Sequence, residues 1–207
     1  MFFEVALIAL LAGISPGPDF LVVSRNALSS GRDVGVASAV GVALALSVHA
    51  SYSILGLSYV LVNYHLAFQA VQLCGAAYLA YLGVSSIVGT FRKDIAPASL
   101  PTQGQTKGVR QGFQDGLLCN LLNPKAYVFF LSIFSQFMSV QTPLWMEWVY
   151  AAEVVVVIGL WFVVVAFGVS TNAMGRLYAR ARKAIDRVLG AVLVAIAGRI
   201  ALSTFGK

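Results

Sequence analysis

The chain has 207 residues, 59% of them hydrophobic and only 11% charged, whereas a soluble globular domain carries about a quarter charged residues. A water-soluble core of this size has no room for so much apolar side chain, and the apolar residues fall in runs long enough to cross roughly 30 Å of hydrocarbon. The formal net charge of +6 does not mark a nucleic-acid partner, because its distribution along the chain reads as membrane orientation.

Six spans are predicted, at about 3–24, 34–62, 66–89, 113–138, 145–170 and 188–205, in an all-α membrane protein. The two-residue alternation of an outer-membrane barrel is missing from them. The first span is not expected to be a cleaved signal peptide: it has no basic leader, carries Glu4, and is broken by Ser15-Pro16-Gly17-Pro18-Asp19. A proline inside a helix costs about 3 kcal/mol, and in lipid the carbonyl it frees must find another partner. Ser15 is a favoured N-cap type followed by proline, so the span reads as two half-helices with the second starting at the break. Asp19 in the first turn offsets the helix dipole, but a carboxylate at mid-membrane depth costs about 2.5–3.5 kcal/mol and is by default a site residue. Gly13-Ile14-Ser15-Pro16-Gly17 also fits the nucleophile-elbow pattern of hydrolases. That elbow needs a backbone N–H after the serine, and Pro16 has none, so no enzyme is expected.

In the second span Gly41, Ala45, His49 and Ser53 recur every fourth residue, which reads as a helix contact face. His49, amid Ser47, Ser51, Tyr52 and Ser53, is either a hydrogen-bonded packing residue or a proton relay. The third span carries Gly75-Ala76-Ala77-Tyr78-Leu79-Ala80-Tyr81-Leu82-Gly83. The polar stretch 91–112 then divides the chain into a first three-helix unit, 1–90, and a second, 113–207. An odd number of spans per unit places the two in opposite orientations, the plan of transporters built from inverted repeats.

The fourth span is broken at Asn123-Pro124-Lys125, matching the break in the first; the other four spans contain no proline. Paired interruptions in the two halves are the best sequence pointer to a transport site. Asn123 is again an N-cap type before a proline. Lys125 is the harder residue to explain as scaffold. A cation is unfavourable at a helix N-terminus, and the nearest helix end, about twelve residues or roughly 18 Å away, is too far for easy snorkelling. Each half-helix start offers unpaired N–H groups to an anion such as a carboxylate. In the fifth span Glu153 is a proton-coupling candidate, since a carboxyl group kept from water resists losing its proton. The segment 172–187 reads as a basic interfacial helix. In the sixth span Gly190–Gly198 repeats the small-residue pattern of Gly75–Gly83, and Arg199 is expected to snorkel. Cys74 and Cys119 fall inside spans and read as reduced packing residues.

Eleven Lys and Arg residues flank or fill the first, third and fifth connections, from Arg25 to Arg187, while the second and fourth carry none. The positive-inside rule therefore places the odd connections in the cytoplasm and both termini outside. No P-loop, metal cluster or dinucleotide fingerprint occurs, so no cofactor is expected.

Ser15–Arg25 (SPGPDFLVVSR), Asn120–Ala126 (NLLNPKA) and the GxxYLxYLG pattern at Gly75–Gly83 together resemble the LysE/RhtB family of amino-acid exporters, which includes the RhtB-type homoserine and threonine efflux proteins. The likeness covers essentially the whole chain. It implies a bacterial inner-membrane protein that exports amino acids or close derivatives to the periplasm, driven by protons, and it implies a homodimer. It carries over to Pro16, Gly17, Pro18, Asp19, Asn123, Pro124 and Lys125 as motif positions, and to Glu153 as an acid of the fifth span. With Ser15 these make the expected substrate site, a zwitterion meeting Lys125 and half-helix N–H groups at one end and Asp19 or Glu153 at the other. Asp19, Glu153 and His49 are the proton-coupling candidates. The alternative is a channel or passive pore, which would call for rings of like charge rather than few buried charges of mixed sign.

Overall fold

The structure, a computed structural model, describes residues 2–15, 17–91, 107–139 and 141–168 and, within 183–198, all but 185, 189 and 196. Among the described residues there is no strand. The helices are α1 (Phe2–Ile14), α2 (Pro18–Ser30), α3 (Arg32–Asn63), α4 (His65–Gly89), α5 (Val109–Leu121), α6 (Pro124–Phe137) and α7 (Leu144–Gly168), with further helical residues between 183 and 198.

By length and composition α3, α4 (from Leu66) and α7 each suffice to cross a membrane. The pairs α1–α2 and α5–α6 pass the same test together, bent by 61° and 59°. Pro18 and Pro124 stand at the first position of α2 and α6, so each bend falls where proline ends the preceding helix. Five of the six expected spans are thus described as straight or broken helices. Half of the sixth, with Arg199 and the segment 172–182, lies outside the described residues, as does Pro16.

The centre of the bundle is α3, whose 32 residues pack against α2, α5, α6 and α7 and, more lightly, α4. It follows α2 after the single residue Gly31, held at φ 96° and ψ 167°, a region essentially reserved for glycine. The close crossing of α3 and α5 depends on two more glycines. A Cβ on Gly41 would overlap the Phe113 carbonyl, and one on Gly116 would overlap the backbone of Ser38. Small residues that let helix backbones touch are the usual device where lipid removes the hydrophobic drive for association. The stripe Gly41–Ala45–His49–Ser53 is buried along its length.

Polar links join the remaining helices. Gln72 Nε2 on α4 donates to the Ser135 carbonyl of α6 at 2.8 Å, and Ser58 on α3 donates to the buried Glu147 of α7 at 3.1 Å. Large apolar side chains such as Leu21, Leu55, Leu66 and Leu160 point outward, as lipid permits. Both cysteines are free; Cys119 is partly buried, but Cys74 faces outward and is not the packing residue expected of it.

Candidate functional site

The second break is built from ordinary capping chemistry. Pro124 lacks the N–H that would bond the Asn120 carbonyl four residues back. That carbonyl instead accepts from the Asn123 N–H at 2.9 Å and from His49 Nε2 at 3.0 Å. The proton assigned by these partners therefore sits on Nε2, leaving Nδ1 to accept from the Tyr52 hydroxyl. Asn123 is the N-cap of α6, its Oδ1 accepting from the Lys125 N–H at 3.0 Å. This is the capping expected from the sequence.

The first break differs from its expected form. Ser15 does not cap α2; its N–H still bonds Leu11 O at 3.1 Å, so it closes α1. The N-cap is Gly17, extended at φ −147° and ψ −175°, with Pro18 at the first helical position and no side-chain cap. The reason is the second proline. Pro18 disfavours helical geometry at residue 17, which delays the new helix by two residues relative to a start at Pro16.

The breaks are far apart in sequence and hold each other. Asp19 Oδ2 accepts from Asn120 Nδ2 at 3.0 Å and from Asn123 Nδ2 at 3.2 Å, and the Cys119 thiol also reaches this carboxylate. In return Lys125 Nζ extends to Ser15 Oγ at 3.5 Å and lies beside Gly17. Asp19 and Lys125 sit in each other's electrostatic field, yet neither is the other's hydrogen-bond partner. Two oxygens here, Asp19 Oδ1 and Asn120 Oδ1, are buried with no hydrogen-bond donor.

Of the expected site residues, Ser15, Gly17, Asp19, Asn123 and Lys125 come together, with Pro18 and Pro124 shaping the two helix starts. His49 stands behind the second break, joined to its backbone. Glu153 belongs to a different neighbourhood: it lies on α7 beside Tyr150, whose ring packs 4.9 Å from that of Phe2. Its Oε2 is buried without a hydrogen bond, and it is not among the charges acting on Asp19 or Lys125.

Sequence reasoning missed three features. Asn120, 1% exposed, is the link between His49 and Asp19; the signal was available, since two asparagines three apart beside a proline are costly in an apolar span. Asp186, in the segment read as interfacial, acts electrostatically on Lys125. A cavity of about 340 Å³ opens between α2 and α5, lined by Arg25, Asn26, Lys107, Asp115, Cys119 and Leu122. At its polar end Asp115 pairs with Lys107 and accepts from Asn26 Nδ2 at 3.1 Å; at the other, Cys119 leads to Asp19. Among the described residues no three His, Cys, Asp or Glu converge as metal ligands.

Comparison with known proteins decides the family. Residues 10–204 match the LysE type translocator family. The chain belongs to this family. As a family of translocators, its members move a solute rather than transform one. This translocator is 33% identical to the threonine efflux protein of Escherichia coli K12, over 93% of each chain. It is likewise 33% identical to the threonine efflux protein of Salmonella typhi, over the same share of both. An uncharacterized membrane protein of Haemophilus influenzae is 30% identical, over 94% of this chain and 92% of its own. No solved structure matches the translocator significantly.

Proposed function

We propose that the translocator is a secondary transporter that exports amino acids or close derivatives from cytoplasm to periplasm across the bacterial inner membrane, by proton antiport. One observation carries this reading: opposite charges at the two helix breaks lie in one electrostatic neighbourhood without bonding to each other. A zwitterion fits between them, its carboxylate toward Lys125 and the N-terminus of α2, its ammonium toward Asp19. Ser15, Gly17, Pro18, Asn123 and Pro124 shape the space. The relatives named as threonine efflux proteins make threonine the first solute to test.

The packing supports an inverted-repeat mechanism. If α1–α2, α3 and α4 correspond to α5–α6, α7 and the last span, the contact of α1 with α7 exchanges with that of α5 with α3. The contact of α2 with α7 exchanges with that of α6 with α3. All four occur, and α3 packs on α7 as the exchange requires, while α2 packs on α3 and on α5 more closely than their counterparts do, α6 on α7 and α6 on α1. With the basic connections in the cytoplasm both termini are periplasmic, and the cavity between α2 and α5 faces inward as the path for outgoing substrate. Pockets of this volume hold small solutes. On this topology Glu153 lies between the site and the periplasm, placed to carry the returning proton as the halves rock, with His49 and Asp19 the nearer titratable groups. A homodimer is the proposed assembly.

The test is counterflow in proteoliposomes holding the full chain. Labelled threonine and a panel of other amino acids should show saturation, trans-stimulation and acceleration by an imposed pH gradient. Linear, unsaturable flux without trans-stimulation would establish a pore instead. Saturable exchange indifferent to the pH gradient would remove the proton from the mechanism.

A further inference from the structure

The orphaned oxygens at the breaks carry the reading of this site one step further. Asn120 is 1% exposed, and its amide is used on one side only: Nδ2 donates to Asp19 Oδ2 at 3.0 Å, while Oδ1 is buried with no donor. Asp19 repeats the pattern, with Oδ2 holding two amide donors and Oδ1 buried and empty-handed. Buried acceptors without donors cost about 1–3 kcal/mol each, and each such group in a native fold calls for an explanation. Because the two side chains are hydrogen-bonded to each other, their orphaned oxygens belong to adjoining groups. Among the described residues nearby, the amide of Asn123 is already committed to Asp19 and to the Lys125 N–H, and the Cys119 thiol and the Lys125 ammonium also act on Asp19.

From this pairing we infer that Asp19 Oδ1 and Asn120 Oδ1 form the cradle for the substrate's ammonium group, so that Asn120 touches substrate and sets the requirement for a free α-amino group. The inference rests on the transport site proposed above. An ammonium is the donor that suits this place. It brings three N–H groups and a positive charge to one carboxylate oxygen and one amide oxygen. A hard metal cation instead takes about six or more oxygens, far more than are offered. The carboxylate of the same solute is then directed toward Lys125. Asn123 stays a helix cap that steadies Asp19, and Glu153 is left to the proton rather than to the substrate.

The experiment uses the full chain in proteoliposomes with labelled threonine, or with whichever amino acid the panel shows to be transported. Competitors are the α-hydroxy acid analogue, which lacks the ammonium, and the amino-acid amide, which lacks the carboxylate. In the parental protein the hydroxy acid should compete at least about tenfold more weakly than the amino acid, since a site built to bond an N–H rejects analogues without it. Asn120→Leu should raise the amino-acid KM about tenfold and leave inhibition by the hydroxy acid unchanged. Asn120→Gln, which keeps both the amide donor and the amide acceptor, should retain the preference for the ammonium. Equal competition by hydroxy acid and amino acid in the parental protein overturns the cradle while leaving the Lys125 end of the site standing. Equal weakening of both ligands by Asn120→Leu makes Asn120 a structural residue only. Transport of no amino acid at all removes both the cradle and the function on which it rests.

Discussion

The two helix breaks do the same geometric job by different means. The second completes its own hydrogen bonding: Asn123 caps α6, and the carbonyl freed by Pro124 is met by Asn123 N–H and by His49 from α3. The first has an N-cap without a side chain, Gly17, and a polar contact to Lys125 that comes from the other break. One break is thus a fixed seat and the other is held by what reaches across to it. A transport site needs both kinds of part, since a solute must bind to something rigid and shift something that is not. On the proposed mechanism a substrate carboxylate draws Lys125 away from Ser15 and so frees α2 and its half to move against the second half, whose helix break keeps its own cap.

The largest test of that contrast is to remove the charges. Lys125→Met and Asp19→Asn should each lower the rate of labelled amino-acid efflux by a hundredfold or more, because truncating one member of a buried charged constellation costs about 2–5 kcal/mol. The two should differ in stability. Lys125→Met leaves the hydrogen bonds that close the second break in place, since Asn123 bonds the backbone of residue 125 and not its side chain, so melting in detergent should stay near the parental temperature. Asp19→Asn weakens the acceptor shared by Asn120 and Asn123 and should lower it. Normal insertion with efflux at the parental rate in either variant would remove the site assignment.

A step smaller is His49→Phe. It keeps an aromatic ring beside Phe130, where the present ring centroids lie 6.1 Å apart, but deletes the donor to the Asn120 carbonyl. The expected cost is about 1–3 kcal/mol of stability, read as a lower melting temperature, with Tyr52→Phe costing less because it touches only the outer nitrogen. If His49 instead relays protons, the His49→Phe protein will melt normally and lose its response to the pH gradient.

What the sequence disclosed, and what it did not, follows the same line between local and distant chemistry. Proline acts on its own turn whatever surrounds it, so both breaks were legible, and Asn-Pro marked the cap of α6 correctly. In Ser-Pro-Gly-Pro local preference placed the start of α2 at Ser15, where the second proline moved it to Gly17 and Pro18. The bonds from Asp19 to Asn120 and Asn123 span 101 and 104 residues. No local pattern encodes them, so paired breaks told that a site exists but not which side chains meet there. Glu153 illustrates the limit from the other side. Its burial was foreseeable from the apolar residues around it, but its direction around the helix axis was not, and it lies beside Tyr150 rather than between the breaks. The membrane class needed no tertiary information, because lipid rewards composition directly.

The smallest expected effects give the finest measure of how unequal the breaks are, through the paired variants Asn123→Ala and Ser15→Ala. Asn123→Ala removes an N-cap, worth about 1 kcal/mol on its own, together with a donor to Asp19, and should lower both the melting temperature and the substrate affinity. Ser15→Ala removes a hydroxyl whose contact with Lys125 Nζ is 3.5 Å long, at the far end of hydrogen-bond range, from a residue whose backbone already closes α1. Stability should therefore stay within about 0.5 kcal/mol of the parental value, as for most substitutions away from a cap or core, and transport should change less than with Asn123→Ala. If Ser15→Ala destabilises as much as Asn123→Ala, then Ser15 caps α2 after all. The first break would then be as self-sufficient as the second, and α2 would lose its claim to be the moving part.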